Sequence, residues 1–361
     1  MSASLLPGRP SRKSKRRVLS FLVFLAAVAG AVTLALPPLS GLPARVRQFL
    51  DRSGDAAKNA HVAPQKVAAA AEAEPEAKPV KIKKGRNTVY NGVMMVPEHF
   101  VAKDDGSYDL ILHFHGNTDL TLESFDKLEI NAVYVVLNLG LGSGIYEDTY
   151  SGPATFEAML QRVDSEMEKR GLPNAHVGRL ALTAWSAGYG AVVRTLDQPK
   201  LAERVDAVVL LDGFHLPLKK NGIEPDPAGL APGVVAFAEQ AKKGERLFFM
   251  THSNIIPMGY AGTKEATDVL LGKLALERKD ASGETKIPDL AAVKGVLPRD
   301  EMVALIPSST VDAGGFHVRG FKGNDKPHHI SHLLQSSEIA FPALAERWKS
   351  QKTAALMTGA Q

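Results

Sequence analysis

The segment Ala181-Leu182-Thr183-Ala184-Trp185-Ser186-Ala187-Gly188-Tyr189-Gly190 constrains this chain more than any other. An apolar run ends in Ala-Trp-Ser-Ala-Gly and opens directly into Ala191-Val192-Val193-Arg194-Thr195-Leu196. This reads as a buried strand, a very tight turn and a helix, with a serine at the apex. Small residues at Ala184 and Gly188 let strand and helix pack closely behind the turn. The serine hydroxyl then sits at a helix N-terminus, where free N–H groups favour a developing negative charge. A serine nucleophile needs that geometry.

Strand and helix signals alternate on either side of this segment. Asn87 to Val96 reads as a hairpin or edge strand pair, and Tyr108 to Phe114 as a strand ending at His115-Gly116. Further strands are expected at Ala132 to Leu139, Arg179 to Ala184, Val205 to Leu211, Arg246 to Met250 and Phe316 to Phe321. Helical periodicity marks Phe156 to Lys169, Gly233 to Lys243, Thr263 to Glu277 and a last helix from Ile330 to Trp348. Short, continuously apolar strands spaced by helices indicate an α/β fold, with a mostly parallel central sheet covered on both faces. Ligands bind such sheets outside the carboxyl ends of the strands, so the polar residues at strand ends are the candidate site.

The order Ser186, then Asp212 at the end of its strand, then histidines after the last strand resembles the α/β-hydrolase superfamily across nearly all of residues 87 to 349. Ala184 stands where the G-x-S-x-G motif has its first glycine, and alanine keeps the turn feasible. The resemblance implies Ser186 as nucleophile, a histidine as base and a carboxylate to orient it. Three histidines compete in Asp325-Lys326-Pro327-His328-His329-Ile330-Ser331-His332. His329 is the first choice, with His332 one helical turn later beside it, and His328 and His332 stand as alternative bases. The more common place for the acid, after the strand ending at Met250, reads Thr251-His252-Ser253-Asn254 and holds no carboxylate. The preceding strand ends in Asp212, which is therefore expected to be the acid, ahead of Asp312 and Asp325. The oxyanion donors are expected at the backbone of Ala187 and of Gly116 or Asn117, because His113-Phe114-His115-Gly116-Asn117 resembles the superfamily's His-Gly loop. His115, Trp185, Tyr189, Ser143, His215 and His252 are expected to line the pocket, and Lys219 to Pro232 to form a short cap.

Two other functional classes stay open on the sequence. The many histidines near the cleft suit a metal-dependent hydrolase, and a hydrolase fold can serve as a binding module without catalysis. The serine elbow favours a serine hydrolase acting on an ester, or secondly an amide, with no cofactor and no metal. A small-molecule, peptide-derived or lipid-derived substrate is the expected partner.

Composition bounds the address rather than the chemistry. The chain has no cysteine, which excludes disulfides, thiolate nucleophiles and a lipobox anchor. Residues 1–17 carry six basic side chains and no acidic one; removing them from the net +4 leaves −2 for the rest, so the basic balance gives no support for nucleic-acid binding. The next 19 residues, 18–36, are apolar and uncharged and end at Pro37-Pro38. A basic segment before an apolar one is the pattern of a signal-anchor or a signal peptide, and its positive side predicts that end in the cytoplasm. The expected organisation is a basic segment 1–17, a membrane or signal segment 18–36, an Ala/Glu/Lys/Pro-rich linker 37–85, a hydrolase domain 86–350 and a tail 351–361. A bacterial envelope location follows: anchored in the inner membrane with a periplasmic domain, or secreted after cleavage.

Overall fold

The computed structural model describes residues 81–292 and 302–358. The segments 1–17 and 18–36 and most of the linker lie outside the described residues. Among the described residues no helix is long and apolar enough to cross a membrane. Folded structure begins slightly before residue 86, since Ile82 is buried and the Lys83 N–H donates to the Arg170 carbonyl. It also passes residue 350, because the last helix runs to Thr358.

Ten strands form one sheet: β1 Gly85–Val89, β2 Gly92–Val96, β3 Ser107–Phe114, β4 Val133–Leu137, β5 His176–Trp185, β6 Val205–Leu211, β7 Leu247–His252, β8 Lys279–Asp280, β9 Ile306–Ala313 and β10 Phe316–Lys322. Their order is β1-β2-β4-β3-β5-β6-β7-β10-β9-β8. The six strands from β4 to β10 are mutually parallel, and antiparallel pairs close both sides. The parallel strands are apolar on both faces because both faces are covered. Leu110, Leu112, Leu180, Leu182, Val208 and Leu210 enter one core, while Ile111, Ala181, Ala207, Val209 and Leu211 enter the other.

The helices divide between the faces. Onto the first pack α3 (Pro153–Lys169), α4 (Tyr189–Leu196), α6 (Pro232–Lys242) and α7 (Thr263–Leu274). Onto the second pack α1 (Thr118–Asp126), α8 (Lys326–Leu334) and α10 (Phe341–Thr358). The chain leaves β3 into α1 on one face and leaves β5 into α4 on the other. A crevice therefore opens above the carboxyl ends of β3 and β5, where the strand order reverses.

Several elements differ from the sequence expectation, which held no helix at α1 and no strand at β8. The expected single helix over Ile330 to Trp348 is three: α8 starts at Lys326 behind an Asp325 cap, and the chain breaks near Gln335 and again at Ala340, around the short α9 (Ser336–Ile339). At the first break Gln335 is buried and its Nε2 donates to the Val303 carbonyl; the second lies just before Pro342, which lacks the N–H needed to continue a helix through it. β9 gave no strand signal because only Val311 in it is fully buried and it carries Pro307, a residue suited to sheet margins. The glycine-rich stretch after β4 is helical, α2 (Ser143–Thr149), and is docked against α4 through Gly190. The remaining short helix, α5 (Pro199–Ala202), follows α4.

Gly188 is the tightest point behind the serine. A Cβ there would lie 2.0 Å from the Phe114 carbonyl oxygen at the end of β3. Backbone cannot yield as a flexible side chain can, so Gly188→Ala is expected to cost about 1–3 kcal/mol of stability. The check is a lower urea midpoint at unchanged slope.

Candidate active site

Ser186 follows β5 with φ +49° and starts a single tight helical turn, Ser186–Gly188, that leads into α4. A non-glycine residue in the left-handed region is uncommon, and here it turns the side chain out above the sheet. Asp212 follows β6 in the same kind of conformation, with φ +42°. Gly213 lies against the elbow: a Cβ on it would sit 2.3 Å from the Ser186 carbonyl oxygen and 2.7 Å from its nitrogen. The strand order and this strand–serine–helix elbow decide the architecture. The chain has the α/β-hydrolase fold.

Ser186 Oγ donates to His329 Nε2 at 2.9 Å, and His329 Nδ1–H donates to Asp212 Oδ2 at 2.7 Å. An ionised carboxylate only accepts, so the imidazole proton must lie on Nδ1, which leaves Nε2 to receive the serine proton. The other oxygen of Asp212 accepts from Ser253 N–H (2.8 Å), Ser253 Oγ (3.0 Å) and Thr263 Oγ1 (2.7 Å). Burial opposes ionisation of this carboxyl. The His332 and His329 imidazoles facing it, with the hydrogen bonds from His329 and Thr263, more than offset that and hold it well below the usual carboxylate range.

The other two histidines of α8 are engaged elsewhere. His328 Nδ1 meets Asp325 Oδ1 at 2.5 Å at the surface, and Asp325 also caps the helix by accepting the His328 N–H. Neither reaches Ser186. Asp312, the other alternative acid, pairs with His317 and Arg319 at the amino end of β10, away from the carboxyl ends where Ser186 stands. His332 is fully buried; its Nδ1 meets Thr251 Oγ1 at 2.8 Å, and its Nε2 faces Asp212 Oδ2 at 3.9 Å.

A cavity of about 490 Å³ opens over Ser186. His115, Ser143, Tyr189 and His215 line it, as does the segment 228–232 from the expected cap. Most of its wall is apolar, with Phe214, Leu216, Leu230, Ile255 and Tyr260 prominent. Two expected pocket residues are elsewhere. His252 is buried beneath the sheet end, where its Nε2 accepts from Arg278 at 2.7 Å. Trp185 lies behind the site, stacked on His329 (4.8 Å between ring centres) and on His115 (5.4 Å), and donates from Nε1 to the His329 carbonyl.

The expected oxyanion loop is also corrected. The Gly116 N–H is committed to Asn138 Oδ1 at 2.9 Å, and Asn117 is an exposed cap of α1 whose side chain accepts from Leu120 N–H. Neither lines the cavity. Ala187 does, at the first turn after Ser186, where N–H groups have no partner within the turn. Ser253, Thr263 and Thr251 escaped the sequence reading. Their only signal was the run Thr251-His252-Ser253 at a strand end, without a carboxylate. The histidines do not converge either: among the described residues no group of three or more His, Asp or Glu is placed to hold a metal ion.

No family model matches the chain, and no curated protein matches it. Solved structures with similar chain traces include a poly(3-hydroxybutyrate) depolymerase from Bordetella parapertussis (14% identity, 74% of this chain and 95% of that one, TM-score 0.38). Others are the enterobactin esterase of Shigella flexneri (13%, 76% and 62%, 0.40) and an acylaminoacyl peptidase from Pyrococcus horikoshii (13%, 55% and 36%, 0.31). This chain therefore spans less than two thirds of each of the last two, 62% and 36%. The strand order and the elbow, rather than these distant likenesses, carry the fold.

Five histidines are held neutral, by burial first. His113 is pushed down to about 3, and His115, His215, His252 and His332 to about 4. Unfolded, each takes up a proton below about pH 6.5. Between about pH 6.5 and 4 the unfolded chain thus binds more protons than the folded one, so stability is lost as the pH is lowered. Asp212 acts with the same sign at lower pH, because its unfolded carboxyl protonates first. Thermal unfolding midpoints measured from pH 7 to 4.5 should fall steadily, and His332→Gln should flatten the slope, by up to about 1.4 kcal/mol per pH unit.

Proposed function

We propose that the chain is a serine hydrolase that cleaves carboxylic esters, with amides second, through an acyl-enzyme. The continuous hydrogen-bonded line from Ser186 through His329 to the buried Asp212 carries this reading. A serine hydroxyl is a weak nucleophile until a base removes its proton. His329 Nε2 takes that proton as Oγ bonds to the carbonyl carbon, and Asp212 stabilises the imidazolium without itself becoming protonated. The carbonyl electron pair moves onto oxygen, where the Ala187 N–H receives it. Collapse breaks the bond to the leaving oxygen, which takes its proton from His329. Water then repeats the sequence on the acyl-serine. The chemistry requires no cofactor.

The apolar wall suits an apolar acyl or alcohol portion over a polar one. We read the basic segment 1–17 and apolar segment 18–36 as an export or anchor signal, which puts the hydrolase domain outside the cytoplasm of a bacterial cell.

The deciding experiment is labelling of the full-length chain with a fluorescent fluorophosphonate. Wild type should label and Ser186→Ala should not; a folded wild type that stays unlabelled would sink the reading. With p-nitrophenyl butyrate as substrate, Asp212→Asn should lower kcat by about 10³–10⁴, because the amide holds the wrong imidazole tautomer. A loss under tenfold would remove Asp212 from the triad.

A further inference from the structure

The proposed hydrolase has one evident backbone donor for the oxyanion, at Ala187, and the loop after β3 withholds the second. The His115 N–H donates to the Leu137 carbonyl at 2.9 Å, and the Gly116 N–H donates to Asn138 Oδ1 at 2.9 Å. Asn117 is exposed and outside the cavity. The loop instead presents a side chain. His115 has φ +71°, again in the left-handed region, and its ring lines the cavity with Ser186, Ala187 and His329. It lies nearly parallel to Trp185, the residue preceding the serine, at 8° between planes.

The tautomer of His115 follows from its partner. Tyr146, fully buried, accepts the Leu139 N–H on its hydroxyl oxygen at 3.1 Å. Its own proton then has two acceptors within reach, His115 Nδ1 at 3.0 Å and the Gly140 carbonyl at 3.5 Å. The nearer one takes it. His115 Nδ1 is thus an acceptor and its proton resides on Nε2. Among the described residues Nε2–H has no hydrogen-bond partner, nor is it sealed from the cavity. Burial keeps the ring neutral and keeps the proton on the tyrosine.

We propose that the Nε2–H of His115 is the second oxyanion donor, a catalytic side chain held in one tautomer by Tyr146. This rests on the serine hydrolase reading. His115 transfers no proton: its N–H accepts a share of the charge that develops when the carbonyl π pair moves onto oxygen, and releases it when the tetrahedral intermediate collapses. Tyr146 is a positioning residue.

The test compares the full-length wild type with His115→Phe, which keeps a ring on Trp185 and removes the donor. The substrates are p-nitrophenyl acetate and its thionoester, in which sulfur replaces the carbonyl oxygen. Loss of one oxyanion donor is expected to lower kcat by about 10²–10³, with KM little changed. Sulfur accepts hydrogen bonds weakly, so wild type should prefer the oxygen ester. That preference should narrow at least tenfold in His115→Phe, a change that a packing role would not produce. His115→Gln, which restores an N–H, should recover part of the loss. If His115→Phe does not fold, Tyr146→Phe carries the test, because it frees Nδ1 and should narrow the same preference to a lesser degree. An active wild type with an unchanged preference in both variants overturns this inference alone. A wild type that neither hydrolyses the ester nor takes a fluorophosphonate overturns the hydrolase reading, and this inference with it.

Discussion

The buried charge of Asp212 is the constraint around which the carboxyl end of the sheet is organised. The residue is 1% exposed, and an ionised carboxylate withdrawn from water costs several kcal/mol unless its oxygens are satisfied. The donors that satisfy it come from three separate elements: His329 in α8, Ser253 just past β7 and Thr263 at the start of α7. The Asp212 N–H is itself bonded to the carbonyl and hydroxyl of Thr251. The charge therefore fixes the relative positions of β6, β7 and the two helices, and the hydrogen bonds that make its burial tolerable are those that aim His329 at Ser186. Any change that empties one of them acts on stability and on the placement of His329 against Ser186 together.

Neutrality of the surrounding histidines follows from the same low-dielectric setting. Five imidazoles near the sheet are kept uncharged by burial, and several have one nitrogen tied to a fixed partner: His113 to Thr183, His215 to the Ala261 carbonyl and His332 to Thr251. A carbonyl partner selects the tautomer, as the Ala261 carbonyl does for His215 and the His115 carbonyl for His113, whereas a hydroxyl serves either form. Among the three histidines of α8, only His329 is within hydrogen-bond distance of a buried carboxylate on one nitrogen and a hydroxyl on the other, while His332 Nε2 stands 3.9 Å from the same carboxylate. A histidine-rich sequence therefore places one imidazole between the buried carboxylate and Ser186, the base of the proposed mechanism, and surrounds it with neutral groups tied to fixed partners.

Much of this is legible in the sequence itself. Continuous apolar runs such as Val208-Val209-Leu210-Leu211 could only be strands covered on both faces, and the small residues around Ser186 could only be a close turn. The helical phase of α8 separates His329 from His332 by one turn, so that one faces the serine and the other is buried beside it. Contacts between distant segments were not legible. Nothing near Gly116 announces that its amide is taken by Asn138, 22 residues on, or that Tyr146 reaches back to His115. Asp325 carries the composition of a candidate acid, yet its carboxylate caps α8 and holds His328 at the surface. Helix α2 begins among glycines of poor helix propensity and exists because Gly190 lets α4 approach it.

The walls of the cavity and the acid share one scaffold. The loop after β6 and the loop after β7 are joined at Ala261, whose N–H donates to the Leu216 carbonyl and whose own carbonyl accepts the His215 Nδ1–H. Two residues later, Thr263 donates to Asp212. The apolar surface that would hold an acyl group is thus connected through four residues of chain, Leu216 and His215 on one side and Ala261 and Thr263 on the other, to the carboxylate that orients the base. A substrate pressing on Leu216 or Tyr260 bears on a wall already fixed by the same buried charge. Rigid placement of a bound group against Ser186 is the geometric gain such a wall offers; here it comes from one backbone and one side-chain hydrogen bond between two loops.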